Sequence, residues 1–189
     1  MKKGFTLIEL LVVIAILAIL ATVIVVIINP GELLKQARDT TRISDLAAVN
    51  SAIALYLSDV STPYLKNGTD CTAATIYCTA NIGAASPFAT AGNCVAPAAT
   101  SSVDGTGWVR VNFGSISSGS PLARLPVDPA NTATYYYGYA CGTTNALNYE
   151  LDARMESNKY ASSTANVVAA AKDGGNNDAW YEIGNSLVQ

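Results

Sequence analysis

The sequence lacks histidine and has few charged residues, which make up 13% of its 189 residues. Histidine is the commonest general acid–base residue, and serine and cysteine nucleophiles usually need a neighbouring base. Without histidine the commonest catalytic arrangements are missing, so we expect no enzymatic activity. The formal net charge is −3, and the 11 Lys and Arg residues are scattered along the chain. Because phosphate binding needs clustered cations, nucleic acid is not expected as the main partner.

Four cysteines are present, but they form no C-x-x-C pair, and zinc sites built from cysteine and histidine usually have such spacing. An even number of cysteines beyond a membrane segment instead indicates disulfides in an oxidising, extracytoplasmic setting. Four cysteines allow three pairings, of which we favour Cys71–Cys78 with Cys94–Cys141.

Residues 10–28 contain no charge, and Thr22 is their only polar residue. As a helix this segment is roughly 29 Å long, close to the hydrocarbon thickness of a bilayer. Lys2 and Lys3 precede it and an acidic segment follows, which predicts a cytoplasmic N-terminus and an extracytoplasmic remainder. On hydropathy and charge alone, an uncleaved signal anchor is an alternative. It does not explain Glu9, because a carboxylate in a spanning segment is costly and usually has a partner.

Residues 3–9, Lys-Gly-Phe-Thr-Leu-Ile-Glu, resemble the class III signal sequence of type IV prepilins and pseudopilins. The resemblance implies that prepilin peptidase cleaves between Gly4 and Phe5, that Phe5 is N-methylated, and that the apolar segment is retained for assembly. It also implies that Glu9 neutralises the Phe5 amine of a neighbouring subunit. The alternative is that Glu9 reaches the membrane interface beside the two lysines.

The family resemblance leads us to expect a structural subunit of a type IV pilus. Its partners would be identical subunits in a helical homopolymer, the pilus assembly machinery, and the cytoplasmic membrane before assembly. The extracellular filament would serve adhesion, motility or DNA uptake. The alternatives are a pseudopilin of a type II secretion system and a signal-anchored extracytoplasmic binding domain.

The rest of the sequence predicts an α+β fold in which a long N-terminal helix packs on a C-terminal antiparallel sheet. Many filament-forming pilins have a helix-breaking residue within the apolar segment, whereas here Pro30 and Gly31 follow it, so we expect the break at 29–31. The predicted parts are a leader (1–4), an apolar helix (5–29), an amphipathic helix (30–60), a disulfide-containing loop (61–107), and a sheet with a C-terminal loop (108–189).

The amphipathic helix has an apolar stripe that we assign to the core, made of Leu33, Ala37, Ile43, Leu46, Val49, Ile53, Leu57 and Val60. Its charged residues are expected on the other faces: Lys35, Arg38, Asp39, Arg42 and Asp45. Alternating or aromatic runs predict strands at 108–113, 134–141, 146–153 and 180–183, with a hairpin turn at 142–145.

The segment 173–178, Asp-Gly-Gly-Asn-Asn-Asp, is rich in oxygen donors and glycine. It is similar in position to a calcium loop of type II secretion pseudopilins, which implies Asp173, Asn176 and Asp178 as ligands. Calcium prefers six to eight oxygens, and the segment lacks the distal Glu of an EF-hand. We therefore favour a solvated turn and expect no cofactor, with calcium as the alternative.

Overall fold

The structure is a computed structural model that describes residues 4–68, 71, 76–80, 88, 94–98, 100–142, 147–161 and 173–187. Two long helices precede a sheet, and together they confirm the predicted α+β fold. The helices are α1 (Leu7–Ile28), α2 (Pro30–Asp59) and the short α3 (Asn158–Ala161). Much of the predicted loop 61–107 and most of the predicted turn at 142–145 lie outside the described residues.

The two long helices are separated at Asn29, within the predicted break. Asn29 has a left-handed backbone (φ 45°) that ends α1, and its side chain accepts a hydrogen bond from the Glu32 backbone N–H at 3.4 Å. Pro30 occupies the first turn of α2. Backbone N–H groups in the first turn of a helix have no intrahelical acceptor, so the N–H that proline lacks costs α2 no hydrogen bond. The break therefore comes from a residue that caps both helices, and α1 continues without interruption up to it.

The sheet has five strands in the order β2-β1-β3-β4-β5. The pair β1–β2 is parallel, and the other three pairs are antiparallel. Three strands coincide with predicted ones, whereas β1 and β2 fall in the predicted loop. Their bounds are β1 (Ile76–Cys78), β2 (Cys94–Val95), β3 (Tyr137–Cys141), β4 (Tyr149–Ala153) and β5 (Tyr181–Gly184).

The predicted strand at 108–113 is wrong. The segment has no strand and ends in a 3₁₀ turn, Phe113–Ser115. Its backbone bonds to irregular segments instead: the Trp108 N–H donates to Thr100 O, and the Phe113 N–H donates to Val103 O. The alternating burial that suggested a strand is real, because Val109, Val111 and Phe113 are buried. The sequence pattern thus predicted which side of the 108–113 segment is buried, but it did not show whether the segment pairs with another strand.

The core lies between α2 and one face of the sheet. Leu46, Val49 and Ile53 of α2 pack with side chains of the sheet and of the 108–116 segment. Two tyrosine hydroxyls connect the layers, since Tyr137 donates to Asp45 at 2.8 Å and Tyr149 donates to Asn50 at 2.7 Å. Buried tyrosines that keep a hydrogen bond can fill a core without leaving a polar group unpaired.

The predicted stripe of α2 is correct in its second half and wrong in its first. Leu33 and Ala37 are exposed, whereas Asp39 and Arg42 are completely buried. Placing these two charges on outer faces was therefore an error. They are buried because they pair with each other and with residues far along the chain.

The favoured disulfide pairing is also wrong. The bonds are Cys71–Cys141 and Cys78–Cys94, and no cysteine is free. The sheet separates the pairs: Cys71 and Cys141 belong to the core under α2, and Cys78 and Cys94 belong to a second apolar cluster. A bond between Cys71 and Cys78 would have to connect two clusters that the sheet separates, which is why the predicted pairing does not form.

Candidate functional site

Helix α1 exposes apolar side chains on every side. Seventeen large hydrophobic residues between Phe5 and Ile28 are at least 48% exposed. It is the helix among the described residues that is long and apolar enough to cross a membrane, on length and composition. A helix that is apolar all round needs an apolar environment, either lipid or other protein. The isolated chain does not supply that environment.

The start of α1 is a capping box formed by Thr6 and Glu9. The Thr6 hydroxyl accepts a hydrogen bond from the Glu9 backbone N–H at 3.3 Å. The Glu9 carboxylate accepts from the Thr6 N–H at 2.8 Å and from the Thr6 hydroxyl at 2.7 Å. These bonds satisfy donors that a helix N-terminus otherwise leaves unpaired. Thr6 was not among the predicted site residues, although the T-x-x-E spacing is a known sequence signal for this motif.

The predicted processing residues lie just outside this capping box. Phe5 is 84% exposed, and a side chain at Gly4 would meet no atom within 4 Å. Phe5 and Glu9 border one shallow depression, together with Ile8, Val12 and Val13. The junction and the carboxylate are thus accessible from the same side of the helix.

A buried ionic cluster fastens α2 to the rest of the head, the part of the chain that begins with α2 at Pro30. The Arg42 guanidinium donates to Asp128 at 2.6 and 3.0 Å, to Asp39 at 2.8 Å and to Glu156 at 2.5 Å. Asp39 also accepts hydrogen bonds from the backbone N–H groups of Glu156 and Ser157. Burial opposes the charge of Arg42, but the hydrogen bonds that it donates to Asp128 and Glu156 outweigh burial and raise the pKa of Arg42. Helix α2 is therefore held to two distant segments by paired charges.

A second group of buried carboxylates lies on the sheet face turned away from α2. Glu150 and Asp152 of β4 lie beside Glu182 of β5, with one oxygen of each within 4.8 Å of the others. Strand alternation explains the grouping, since Tyr149, Leu151 and Ala153 point into the core. Burial raises the pKa of Asp152, and the neighbouring charges of Glu150 and Glu182 raise it further.

The predicted calcium loop makes a turn beside this group. Asp173 accepts hydrogen bonds from the backbone N–H groups of Gly175 at 2.9 Å and Glu182 at 2.8 Å. Asn176 and Asp178 are exposed. Of the three predicted ligands, the structure brings Asp173 to the buried carboxylates. Glu150, Asp152 and Glu182 were missed, although acidic residues alternating with apolar ones in 149–153 could have indicated a charged sheet face.

Comparison with known families gives one match. A family model, the prokaryotic N-terminal methylation motif, matches residues 1–25. No curated protein and no solved structure matches the chain. The match covers the residues that resemble a class III signal, together with most of α1. The N-terminal segment thus has a prokaryotic methylation motif, which supports a class III signal of the type IV pilin-like family.

Proposed function

We propose that the chain is a structural subunit of a type IV pilus. Its precursor is held in the cytoplasmic membrane, cleaved after Gly4 and methylated on Phe5, and it then polymerises through α1 into an extracellular filament. The observation that supports this most is the exposure of every apolar face of α1 beside a methylation motif. A chain that functioned as a free soluble domain would have no means of covering that surface.

The uniform apolar surface of α1 suits two environments in turn. Its 22 residues make a helix of about 33 Å, enough to cross the bilayer before assembly. In a filament, neighbouring copies of α1 replace the lipid around it. Burial of apolar area from water contributes about 25 cal/mol per Å², so a helix with no lipid and no neighbours would be strongly disfavoured.

In the proposed filament the Glu9 carboxylate is a negative charge that needs a positive partner. In the single chain the hydrogen bonds of Glu9 within the described residues are with Thr6, and none of the described ion pairs includes Glu9. Buried in a bundle of apolar helices, the carboxylate requires a positive partner. The amine of a neighbouring Phe5, freed by cleavage, supplies one. Because opposite charges attract strongly in a dry interior, this pair would set the register between subunits.

The head has the properties of a domain displayed outside the cell. Two disulfides connect residues of the head outside α2, and the Arg42 cluster ties α2 to Asp128 and Glu156, which lie on either side of β3 and β4 in the chain. Disulfides persist in oxidising compartments, which agrees with an extracytoplasmic head. In the proposed filament α2 connects α1 to the rest of the head. The surface of the head would make the contacts of adhesion or motility.

Imaging of surface filaments, followed by mass spectrometry of their main protein, tests the proposal. The expected result is filaments whose subunit is this chain, four residues shorter and beginning with N-methylated Phe5. A type II secretion pseudopilin would show the same processed N-terminus without abundant surface filaments, and its deletion would block secretion. An intact Met1 would support a signal-anchored domain and contradict the proposal.

A further inference from the structure

The carboxylates of Glu150, Asp152 and Glu182 form a compact group inside the head. The exposed fractions of these residues are 0%, 0% and 1%. Asp152 is directly opposite Glu182 in the β4–β5 register, and Glu150 is two residues before Asp152 on the same face of β4. Antiparallel pairing therefore forces the three acidic side chains together.

Two members of the group have carboxylate oxygens without a hydrogen-bond donor. Neither oxygen of Asp152 accepts a hydrogen bond, and Glu182 Oε1 accepts none. Of the described ion pairs, none includes these two residues. Buried polar atoms are nearly always satisfied, and a buried charge usually pairs or coordinates a metal. A cation bound among these oxygens would satisfy them.

The turn at 173–177 closes over the group at very short range. A Cβ added to Gly175 would collide with the Glu182 carboxylate, so a larger residue there would have to displace that side chain. The Asn177 N–H donates to Glu182 Oε2 at 3.1 Å and fixes that side chain. Asp173 is occupied with backbone donors, so it shapes the turn and adds negative charge nearby. The Glu182 carboxylate is thus held in place before any ion arrives.

We propose that Glu150, Asp152 and Glu182 bind one calcium ion between β4, β5 and the 173–177 turn. The distances fit: calcium–oxygen bonds of about 2.3–2.6 Å place ligand oxygens no more than about 4.6–5.2 Å apart, and the three oxygens lie within 4.8 Å of one another. The site differs from the acidic-loop site that the family resemblance implies, since Asn176 and Asp178 are exposed.

The donor set favours calcium over other common ions. All three side chains offer oxygen, which suits hard cations, whereas zinc and copper prefer nitrogen or sulfur. Magnesium needs shorter bonds in near-ideal octahedral geometry and keeps several waters, which a group this deeply buried disfavours. Three carboxylates can supply three to six oxygens, and backbone carbonyls or water would complete the shell.

The test uses the full chain, purified in detergent and stripped of metal with a chelator. Its thermal unfolding is followed while calcium chloride or magnesium chloride is added. Calcium at saturation should raise Tm by about 5 °C or more, and magnesium should raise it much less. Asp152→Asn and Glu182→Gln should each reduce the calcium shift to about 1 °C or less. Without metal both variants should be at least as stable as the wild type, because each removes one buried charge.

Asp178→Asn is the matched control, because it removes a carboxylate from the same loop but outside the buried group. It should keep the full calcium shift. Loss of the shift in Asp178→Asn but not in Asp152→Asn would place the ion in the exposed loop and overturn the proposal. So would the absence of any calcium response in the wild type, the result expected if protons neutralise the group.

Discussion

Arg42 and Asp128 are 86 residues apart, yet their side chains form a bidentate ion pair inside the head. Nε donates to Oδ2 at 2.6 Å and Nη2 donates to Oδ1 at 3.0 Å, with both side chains completely buried. Asp128 also accepts from the backbone N–H groups of Ala130 and Asn131. The pair thus orders the segment before β3 and attaches it to α2.

Replacement of Arg42 by methionine should destabilise the head strongly. The variant would leave Asp39, Asp128 and Glu156 close together without their shared cation. Removing one partner of a buried pair typically costs about 3–5 kcal/mol. Denaturant unfolding of the full chain in detergent, followed by fluorescence of buried Trp108, measures the change in the free energy of unfolding.

Arg38→Met is the control for Arg42→Met. Arg38 also pairs with Glu156, but its side chain is 37% exposed, and exposed ion pairs contribute about 0–1 kcal/mol. Equal losses in the two variants would contradict the idea that burial makes the Arg42 cluster important.

The stability of the head should fall in acid partly through Glu156. The hydrogen bond from Arg38 lowers the pKa of Glu156, burial opposes this, and Arg42 lowers it further. Since the folded pKa lies below the unfolded value of about 4.3, the contribution is complete above that pH and is lost as pH falls through the folded pKa. Glu156→Gln should therefore reduce the fall in Tm below about pH 4. Equal pH slopes in wild type and variant would refute this.

The two disulfides should contribute unequally. The chain-entropy relation gives about 4 kcal/mol for Cys71–Cys141, with a sequence separation of 70, and about 3 kcal/mol for Cys78–Cys94, with a separation of 16. Paired alanine substitutions at each bond, compared by denaturant unfolding, measure the difference. Non-reducing peptide mapping checks the connectivity, and a Cys71–Cys78 peptide would contradict the structure.

Substitution of Glu9 should separate membrane insertion from assembly. Glu9→Ala removes a costly charge from the apolar segment, so insertion should be unchanged or better. Filament yield should fall, because a neighbouring Phe5 amine would stay buried without a counter-charge. Glu9→Gln should behave similarly, since it keeps the shape but loses the charge. Filament yield relative to membrane-bound precursor is the measurement.

Thr6→Ala distinguishes this role of Glu9 from helix capping. It removes the hydroxyl that bonds with Glu9 in the capping box but keeps the carboxylate. Loss of an N-cap costs about 1 kcal/mol, so filaments should still form in reduced or normal amounts. If Thr6→Ala abolishes filaments as completely as Glu9→Ala, the carboxylate acts through the cap, and the intersubunit pair is unnecessary.

The N-terminal half of the fold was predictable because its signals are local. An apolar run without charges, the residues around Gly4 and Phe5, and the break near Pro30 all depend on neighbours within a few turns of helix. The α+β class and strands β3 to β5 also followed from local patterns, since aromatic and aliphatic runs favour strands wherever they occur.

Tertiary structure alone decided the buried charges, the disulfide pairing and the missing strand at 108–113. Arg42 looked like a surface residue because its partner Asp128 is far away in sequence, and a charge can be buried once such a partner is in place. Glu150 and Glu182 meet through strand register, which no short window of sequence contains. Local chemistry therefore determined the apolar helix α1, and long-range pairing determined the interior of the head.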